Sequence, residues 1–164
     1  MGNFIESNLI PGEKLIYKAA VHWMVYFPAA LNIFISFIIF YFGKYHFHMQ
    51  SKILPILAAI PLVVAAFKTF QAYLHREFTE IGVTNDRLIA KFGWISRETI
   101  ELPLTRIESV IVEQSISERI IGAGSIMVRG TGVSMAPISY IEEPFVFRNR
   151  INEAINEAKN KNQN

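Results

Sequence analysis

Two long apolar stretches lie in the first half of the chain, and short alternating runs fill the second half. The first stretch has no Asp, Glu, Lys or Arg between Lys18 and Lys44. As a helix it would extend for roughly 37 Å, more than the hydrocarbon core of a bilayer, which is about 30 Å thick. Trp23 and Tyr41 stand near its two ends, where amphipathic rings favour the headgroup level. The pattern predicts a transmembrane helix over 23–43.

The second apolar stretch is charge-free from Ile53 until Lys68. If the Lys68 ammonium reaches toward the headgroups, the helix continues and spans 53–74, roughly 33 Å. A re-entrant or interfacial helix is the alternative. A short loop at 44–52 joins the two stretches, so the sequence predicts a two-helix hairpin with both chain ends on one side.

Small and polar residues mark one face of each predicted helix. A polar pathway for a transported solute would need ionisable groups near the midplane, and the sequence places none there. We therefore assign these residues to helix–helix packing: Asn32, Ser36, Ala58, Ala65 and Thr69.

The flanking charges predict the orientation. The loop contributes Lys44 and Lys52, whereas the opposite side carries a larger basic set: Lys14, Lys18, Lys68, Arg76, Arg87 and Lys91. The positive-inside rule then predicts that both termini and the second half of the chain are cytoplasmic.

After Arg76 the chain changes to short β-branched runs separated by turn residues, which is typical of an antiparallel β domain. The predicted strands are 78–84, 87–92, 95–102, 107–114, 125–129 and 133–140. Asn85-Asp86 suits a hairpin turn, and Gly93 allows a second reversal. The 107–114 strand is predicted to be largely buried. Ser117 is the predicted N-cap of a single helical turn that Gly122 closes.

The end of the chain turns helical from Glu142. One face is apolar and carries Phe147, Ile151, Ala154, Ile155 and Ala158. One such helix after about six strands predicts a bent antiparallel sheet or partial barrel with a helix closing its open end. The predicted organisation is an N-terminal segment 1–22, the hairpin 23–74, this domain at 75–158 and a polar tail 159–164. The segment 14–21 is an added strand in one alternative.

Several runs in this domain occur in a characteristic order. They are Glu77-Phe78 through Leu88-Ile89, Phe92-Gly93-Trp94-Ile95, Ile107 to Val112, Gln114-Ser115, Arg119 to Ile126, and Ile141-Glu142-Glu143-Pro144-Phe145. Over residues 76–156 this order resembles the YdbS-like family of bacterial pleckstrin-homology-like (PH-like) membrane proteins. The upstream Pro11-Gly12-Glu13-Lys14 before a two-span hairpin is similar to that family too. The resemblance implies an α+β membrane protein with a PH-like domain on the cytoplasmic side of the bacterial inner membrane. It implies no settled biochemical activity.

Charge and residue types exclude several functions. The chain has 16 basic and 14 acidic residues, a formal charge of +2, and no cysteine. Residues 1–75 carry five Lys and two Glu, so the β half is slightly acidic, which does not suit a nucleic-acid-binding domain. The predicted domain at 75–158 has one histidine, His75 at its boundary with the second apolar stretch, so no Ser-His-Asp arrangement can form there. We therefore expect no enzyme activity, cofactor, metal or small-molecule substrate.

Six basic residues of the β half are candidates for anionic lipid headgroups, although acidic residues are interleaved with them: Arg87, Lys91, Arg97, Arg106, Arg119 and Arg129. The favoured expectation is a membrane-anchored interaction or assembly module that binds a protein partner or a second copy of itself. The alternative is a module that senses lipid headgroups at the inner membrane surface.

Overall fold

The computed structural model describes residues 4–45, 53–95, 98–134 and 137–161. These residues form two compact units. The helical unit runs from Trp23 to Leu74, and the β unit combines the segments on either side of it, 1–22 and 75–164. The protein is therefore an α+β chain in which one unit is inserted into the other.

The helical unit contains two long helices. The short first helix, α1 at Phe4–Ser7, belongs to the β unit. In the helical unit, a 3₁₀ turn at Trp23–Tyr26 leads into α2, Phe27–Tyr45. Helix α3 covers Ile53–Phe78 and continues past Lys68 without a break. Both helices are long and apolar enough to cross a membrane, with a mean hydropathy of 2.0 and 2.1 in their most apolar windows.

Buried small residues recur every seven residues in α2 and in α3. They are Ala29, Ser36 and Gly43 in α2, and Ala58, Ala65 and Ala72 in α3. The Ser36 Oγ donates a hydrogen bond of 2.6 Å to the carbonyl oxygen of Ala58. A Cβ at Gly43 would meet the end of the Leu54 side chain, which would have to shift to admit a larger residue, so the two helices approach closely here. One small residue at every seventh position, which is once every two turns, is the pattern of a closely packed, left-handed helix pair.

Asn32 and Thr69, also predicted to pack between the helices, bond within their own helix. The Asn32 Nδ2 donates to the carbonyl of Pro28 at 2.7 Å. The Thr69 Oγ1 donates to the carbonyl of Ala65 at 2.8 Å. The inter-helix hydrogen bond in this part of the structure thus comes from Ser36.

In the part of the β unit that the structure describes, eight strands form two antiparallel sheets. The first has the order β1-β2-β3-β4, and in the second β5, β6 and β7 follow one another while β8 also pairs with β6. The strands are β1 Leu15–Ala19, β2 Glu80–Thr84, β3 Arg87–Phe92, β4 Glu98–Pro103, β5 Ile107–Glu113, β6 Ala123–Gly130, β7 Val133–Ser134 and β8 Ile138–Glu142. β1 pairs with β2, so the alternative in which the segment before the helices adds a strand is the one that forms. The described strands make two sheets without closing into a barrel.

Helix α5, Pro144–Lys161, covers the core between the sheets. Phe147, Ile151 and Ala154 on its apolar face are fully buried, as the helical periodicity predicted. Tyr17 of β1 stacks on the Phe147 ring with centroids 5.8 Å apart. The strand that precedes the apolar helices therefore shares one core with the strands that follow them.

Several predicted details of the β unit were wrong. The 107–114 strand is an edge strand in which only Ile107 is fully buried. The predicted 133–140 strand contributes to two strands, β7 and β8, and Ile95, predicted to begin the 95–102 strand, lies in the turn before β4. The parts of these predictions at 96–97 and 135–136 lie outside the described residues. The predicted 78–84 strand begins at Glu80, because α3 continues to Phe78.

Candidate functional site at the apolar end of the β unit

The strand pairing gives the β unit two ends, and both chain connections to the helical unit leave from one of them. Ala19 pairs with Ile81 and Glu80 with Lys91, which places the end of β1 beside the start of β2. The amide of Glu142 donates to the carbonyl of Ala20 at 2.9 Å, which brings the end of β8 to the same place. We call this the connection end, and the opposite end, with the β2–β3 turn, the far end.

The β3–β4 turn and the start of α5 also lie at the connection end, as does the short helix α4 (Ile116–Ile121). Among the described residues of the β unit, eight large hydrophobic side chains are exposed, and six of them lie there: Trp94, Ile95, Ile116, Ile120, Phe145 and Val146. We call these six residues the apolar rim. Apolar side chains are therefore concentrated where the chain leaves for the long helices.

Helix α4 is short but firmly capped. Ser115 accepts a hydrogen bond from the Glu118 amide at 3.3 Å, and the Glu118 carboxylate accepts one from the Ser115 amide at 2.8 Å. This reciprocal capping box satisfies two amides that a helix start leaves free. Gly122 ends the helix with φ +75°. The N-cap is therefore Ser115 rather than the predicted Ser117, and the cap holds Ile116 and Ile120 outward on one side.

The β3–β4 turn carries the second part of the rim. Gly93 has φ +87°, a conformation that favours glycine, and allows the predicted reversal. The Trp94 ring lies 6.3 Å from that of Phe78, centroid to centroid. At the start of α5, the Arg148 guanidinium lies 5.0 Å from the Phe145 ring centroid.

The far end is polar and centres on a buried ion pair. The Glu13 carboxylate, 1% exposed, accepts hydrogen bonds from the Arg87 Nε at 3.0 Å and Nη2 at 2.9 Å. It also accepts one from the Thr84 hydroxyl at 2.7 Å. Arg87 bridges onward to the Glu101 carboxylate at 2.6 Å. This network fastens the segment before the helices to the β2–β3 hairpin.

The electrostatics of this pair favour ionisation of both partners. Burial opposes a charge on Glu13, but the hydrogen bonds from the Ile10 amide, Arg87 and Thr84, with the Arg87 charge, outweigh it and lower the pKa of Glu13. The hydrogen bond to Glu13 raises the pKa of Arg87 against its own burial. The pair is therefore structural, because neither group titrates near neutral pH.

A second buried carboxylate, Glu80, organises the connection end. It lies 3.0 Å from the Lys18 ammonium and 3.9 Å from that of Lys91. The Phe4 amide also donates to Glu80 at 3.2 Å, and Lys91 lies over the Phe4 ring, 4.3 Å from its centroid. The Lys91 ammonium thus already contacts the Glu80 carboxylate and the Phe4 ring within the β unit.

The structure does not bring together the five candidate headgroup residues that it describes. Arg87, Arg106 and Arg129 fall toward the far end, whereas Lys91 and Arg119 belong to the connection end. Arg97 lies outside the described residues. Arg87 and Lys91 are held by acidic partners. Among the described residues, no group of three His, Asp or Glu could hold a metal ion.

Sequence reasoning missed the apolar rim. The signal for α4 was present, because Ser115 and Glu118 have the spacing of a capping box. Apolar residues four apart, such as Ile116 and Ile120, usually indicate a buried face. The exposure of these two side chains depends on the sheet topology, which a local sequence pattern does not contain.

A comparison with family models agrees with this architecture. The bacterial PH domain model matches residues 25–155, and the chain belongs to that family. The matched segment includes both long apolar helices as well as most of the β unit. No curated protein matches the chain, and no solved structure does.

Proposed function

We propose that this protein is a membrane-anchored interaction module whose PH-like domain binds a protein partner at the cytoplasmic surface of a bacterial inner membrane. The observation that carries the anchoring is the exposure of the two long helices, since only 17% of the most apolar window of each is buried. A core helix of a soluble protein would be mostly buried. Large side chains such as Phe37 and Val63 instead face outward, which suits lipid.

The β1–β2 pairing supports a hairpin that returns to its starting side. Ala19 and Ile81 are direct partners although the whole helical unit lies between them in sequence. If both helices span the bilayer, they cross it twice and leave β1 and β2 on the same side. The basic flanks then favour the cytoplasm.

The interaction role is supported by an open sheet edge. Strand β5 pairs with β6 on one side and has no described strand on the other. Its outward positions include Ser109 and Ile111, the second of them half-buried. Such an edge can accept an added strand from a partner through main-chain hydrogen bonds. A headgroup pocket has less support, because the basic candidates are divided between two ends. We also propose that the chain has no catalytic activity.

Site-specific photo-cross-linking of the full chain in bacterial membranes tests this proposal. A photoreactive residue is placed at Ser109 or Ile111 on the β5 edge, and at Asn152 or Glu157 on the exposed face of α5 as matched controls. We expect adducts from the β5 sites that the α5 sites do not give. Two differently tagged copies distinguish a second copy of this chain from another protein.

Two results would overturn the proposal. Identical adduct patterns from both sets of sites, or no adducts from either set, would refute the β5 edge as the interaction surface. Release of the full chain from membranes by alkaline carbonate would refute the proposed membrane anchor.

A further inference from the structure

We propose that the apolar rim of the β unit inserts into the interfacial zone of the lipid bilayer and forms a second, peripheral membrane contact. This inference rests on the membrane anchoring proposed above and adds a site to it. The occupant is the lipid surface itself, at the depth where headgroups meet the acyl chains.

The exposure pattern is the first argument. Ile95, Ile116 and Ile120 are 86%, 84% and 81% exposed, the highest values among the large hydrophobic side chains of the described residues, those of the long helices included. They belong to two separate elements, the β3–β4 turn and α4. The far end instead carries the ionised pair Glu13–Arg87. The exposed large apolar side chains of the β unit are thus concentrated at the connection end, as in a domain that sits on a membrane.

The chain path is the second argument, and it selects lipid over a protein partner. The chain leaves the β unit at His22 for the first apolar helix, and it returns at the connection end through α3. Only Thr79 separates α3 from β2. If the apolar helices are in the bilayer, only a few residues of chain separate the connection end, and with it the rim, from the bilayer surface.

The side-chain chemistry of the rim suits that depth. Trp94 and Phe145 are aromatic, and Trp in particular favours the membrane interface. Arg148, stacked near Phe145, has an aliphatic stem that can extend along apolar surface while its charge stays in water. Because the exposed Glu142 and Glu143 lie at the same end, the contact depends on apolar insertion rather than on anionic lipid.

The absence of cysteine from the chain allows a direct test with the full-length protein. A single cysteine replaces Ile95, Ile116 or Ile120, each with a side chain exposed enough to accept a nitroxide label without repacking. Thr105→Cys at the far end is the aqueous control, and Val63→Cys in α3 is the lipid control. Each variant is reconstituted into vesicles of neutral phosphatidylcholine, and into vesicles with added anionic phosphatidylglycerol.

The measurement is the ratio of nitroxide accessibility to oxygen over accessibility to a water-soluble nickel complex. We expect the ratio at the three rim positions to be several-fold above that of Thr105→Cys and below that of Val63→Cys. It should be the same with and without anionic lipid and at high salt.

Three outcomes would overturn the inference. Rim labels as open to nickel as Thr105→Cys, with Val63→Cys still lipid-exposed, would refute the rim contact and leave the anchor intact. Labels shielded from both reagents would show a protein contact at the rim. Insertion only with anionic lipid would show an electrostatic contact. An aqueous Val63→Cys would instead refute the membrane anchor on which the inference rests.

Discussion

The Glu13–Arg87 pair should be one of the strongest single contributions to the stability of the β unit, and Glu13→Gln tests this. The carboxylate accepts four hydrogen bonds, from the Ile10 amide, the Thr84 hydroxyl and two Arg87 nitrogens. A neutral amide keeps one acceptor oxygen and turns an NH₂ group toward donors. The change therefore leaves a largely buried guanidinium without its main counter-charge.

The magnitude follows from the partners that remain. Removing one member of a buried ion pair costs about 3 to 5 kcal/mol. Arg87 still keeps Glu101 at 2.6 Å and the Asn8 carbonyl at 3.2 Å, so the lower value, about 3 kcal/mol, is expected. The matched control is Glu101→Gln, because the Glu101 side chain is 42% exposed. An ion pair of that kind contributes at most about 1 kcal/mol.

Urea unfolding of the full chain in detergent measures the loss of unfolding free energy in Glu13→Gln and in Glu101→Gln. Trp94 fluorescence reports the unfolding in a chain that also carries Trp23→Phe.

The pH dependence of stability supplies a second readout. The pKa of Glu13 is lowered from its ordinary value of 4.5, so its contribution is complete above that value and is lost as the pH falls through the lower folded-state pKa. The native chain should lose stability below about pH 4.5 more steeply than Glu13→Gln. A loss no larger than that of Glu101→Gln, or parallel pH curves, would refute the reasoning.

Three further substitutions test packing. Gly130→Ala places a Cβ 2.8 Å from the backbone carbonyl oxygen of Arg106 and should destabilise the β unit by about 1 to 3 kcal/mol in the same urea assay. Phe147→Ala empties a fully buried position and should cost about 3 to 5 kcal/mol. Ser36→Ala removes the 2.6 Å bond to the Ala58 carbonyl and should weaken the helix pair by about 0.6 to 1 kcal/mol, measured by thermal unfolding of the helical unit in detergent.

Each of these has a control at a neighbouring or chemically similar position. Arg129→Ala on the exposed face of β6, Phe145→Ala on the rim, and Thr69→Ala, whose hydroxyl bonds within its own helix, should each have a small effect. Comparable losses in a variant and its control would contradict the packing described for that position.

Features with a local cause were predictable from the sequence. The apolar face of α5 follows from the helical period, and Phe147, Ile151 and Ala154 are buried as that period required. The Asn85-Asp86 turn joins β2 to β3 at the predicted place. The bacterial PH-domain family assignment, made from the order of short runs, is confirmed by the family model.

Features that depend on pairing between distant strands were not predictable. Strand β5 contains Val110, Ile111 and Val112, a composition typical of a buried strand, but these residues are only partly buried because β5 is a sheet edge. Edge position is a property of the topology and leaves no local mark in the sequence.

The candidate site shows the same limit more sharply. The residue type of Arg106 or Arg119 suggests headgroup binding, but which end of the domain each occupies depends on strand direction and sheet order. The apolar rim escaped prediction because only the arrangement of β3, β4, β5 and β6 in space places Ile95 and Ile116 at the same end of the domain.

The pairing of β1 with β2 has a consequence for biosynthesis. Strand β1 leaves the ribosome before either long helix, whereas its partner is made only after both. If the helices are inserted cotranslationally, β1 must stay unpaired until insertion is finished, so completed insertion precedes folding of the β unit. A chain that begins at residue 76 would leave the β2 edge bare and prone to intermolecular pairing. Expression of the β domain without the segment that carries β1 would therefore yield aggregates. A soluble version needs β1 joined to β2 by a short linker.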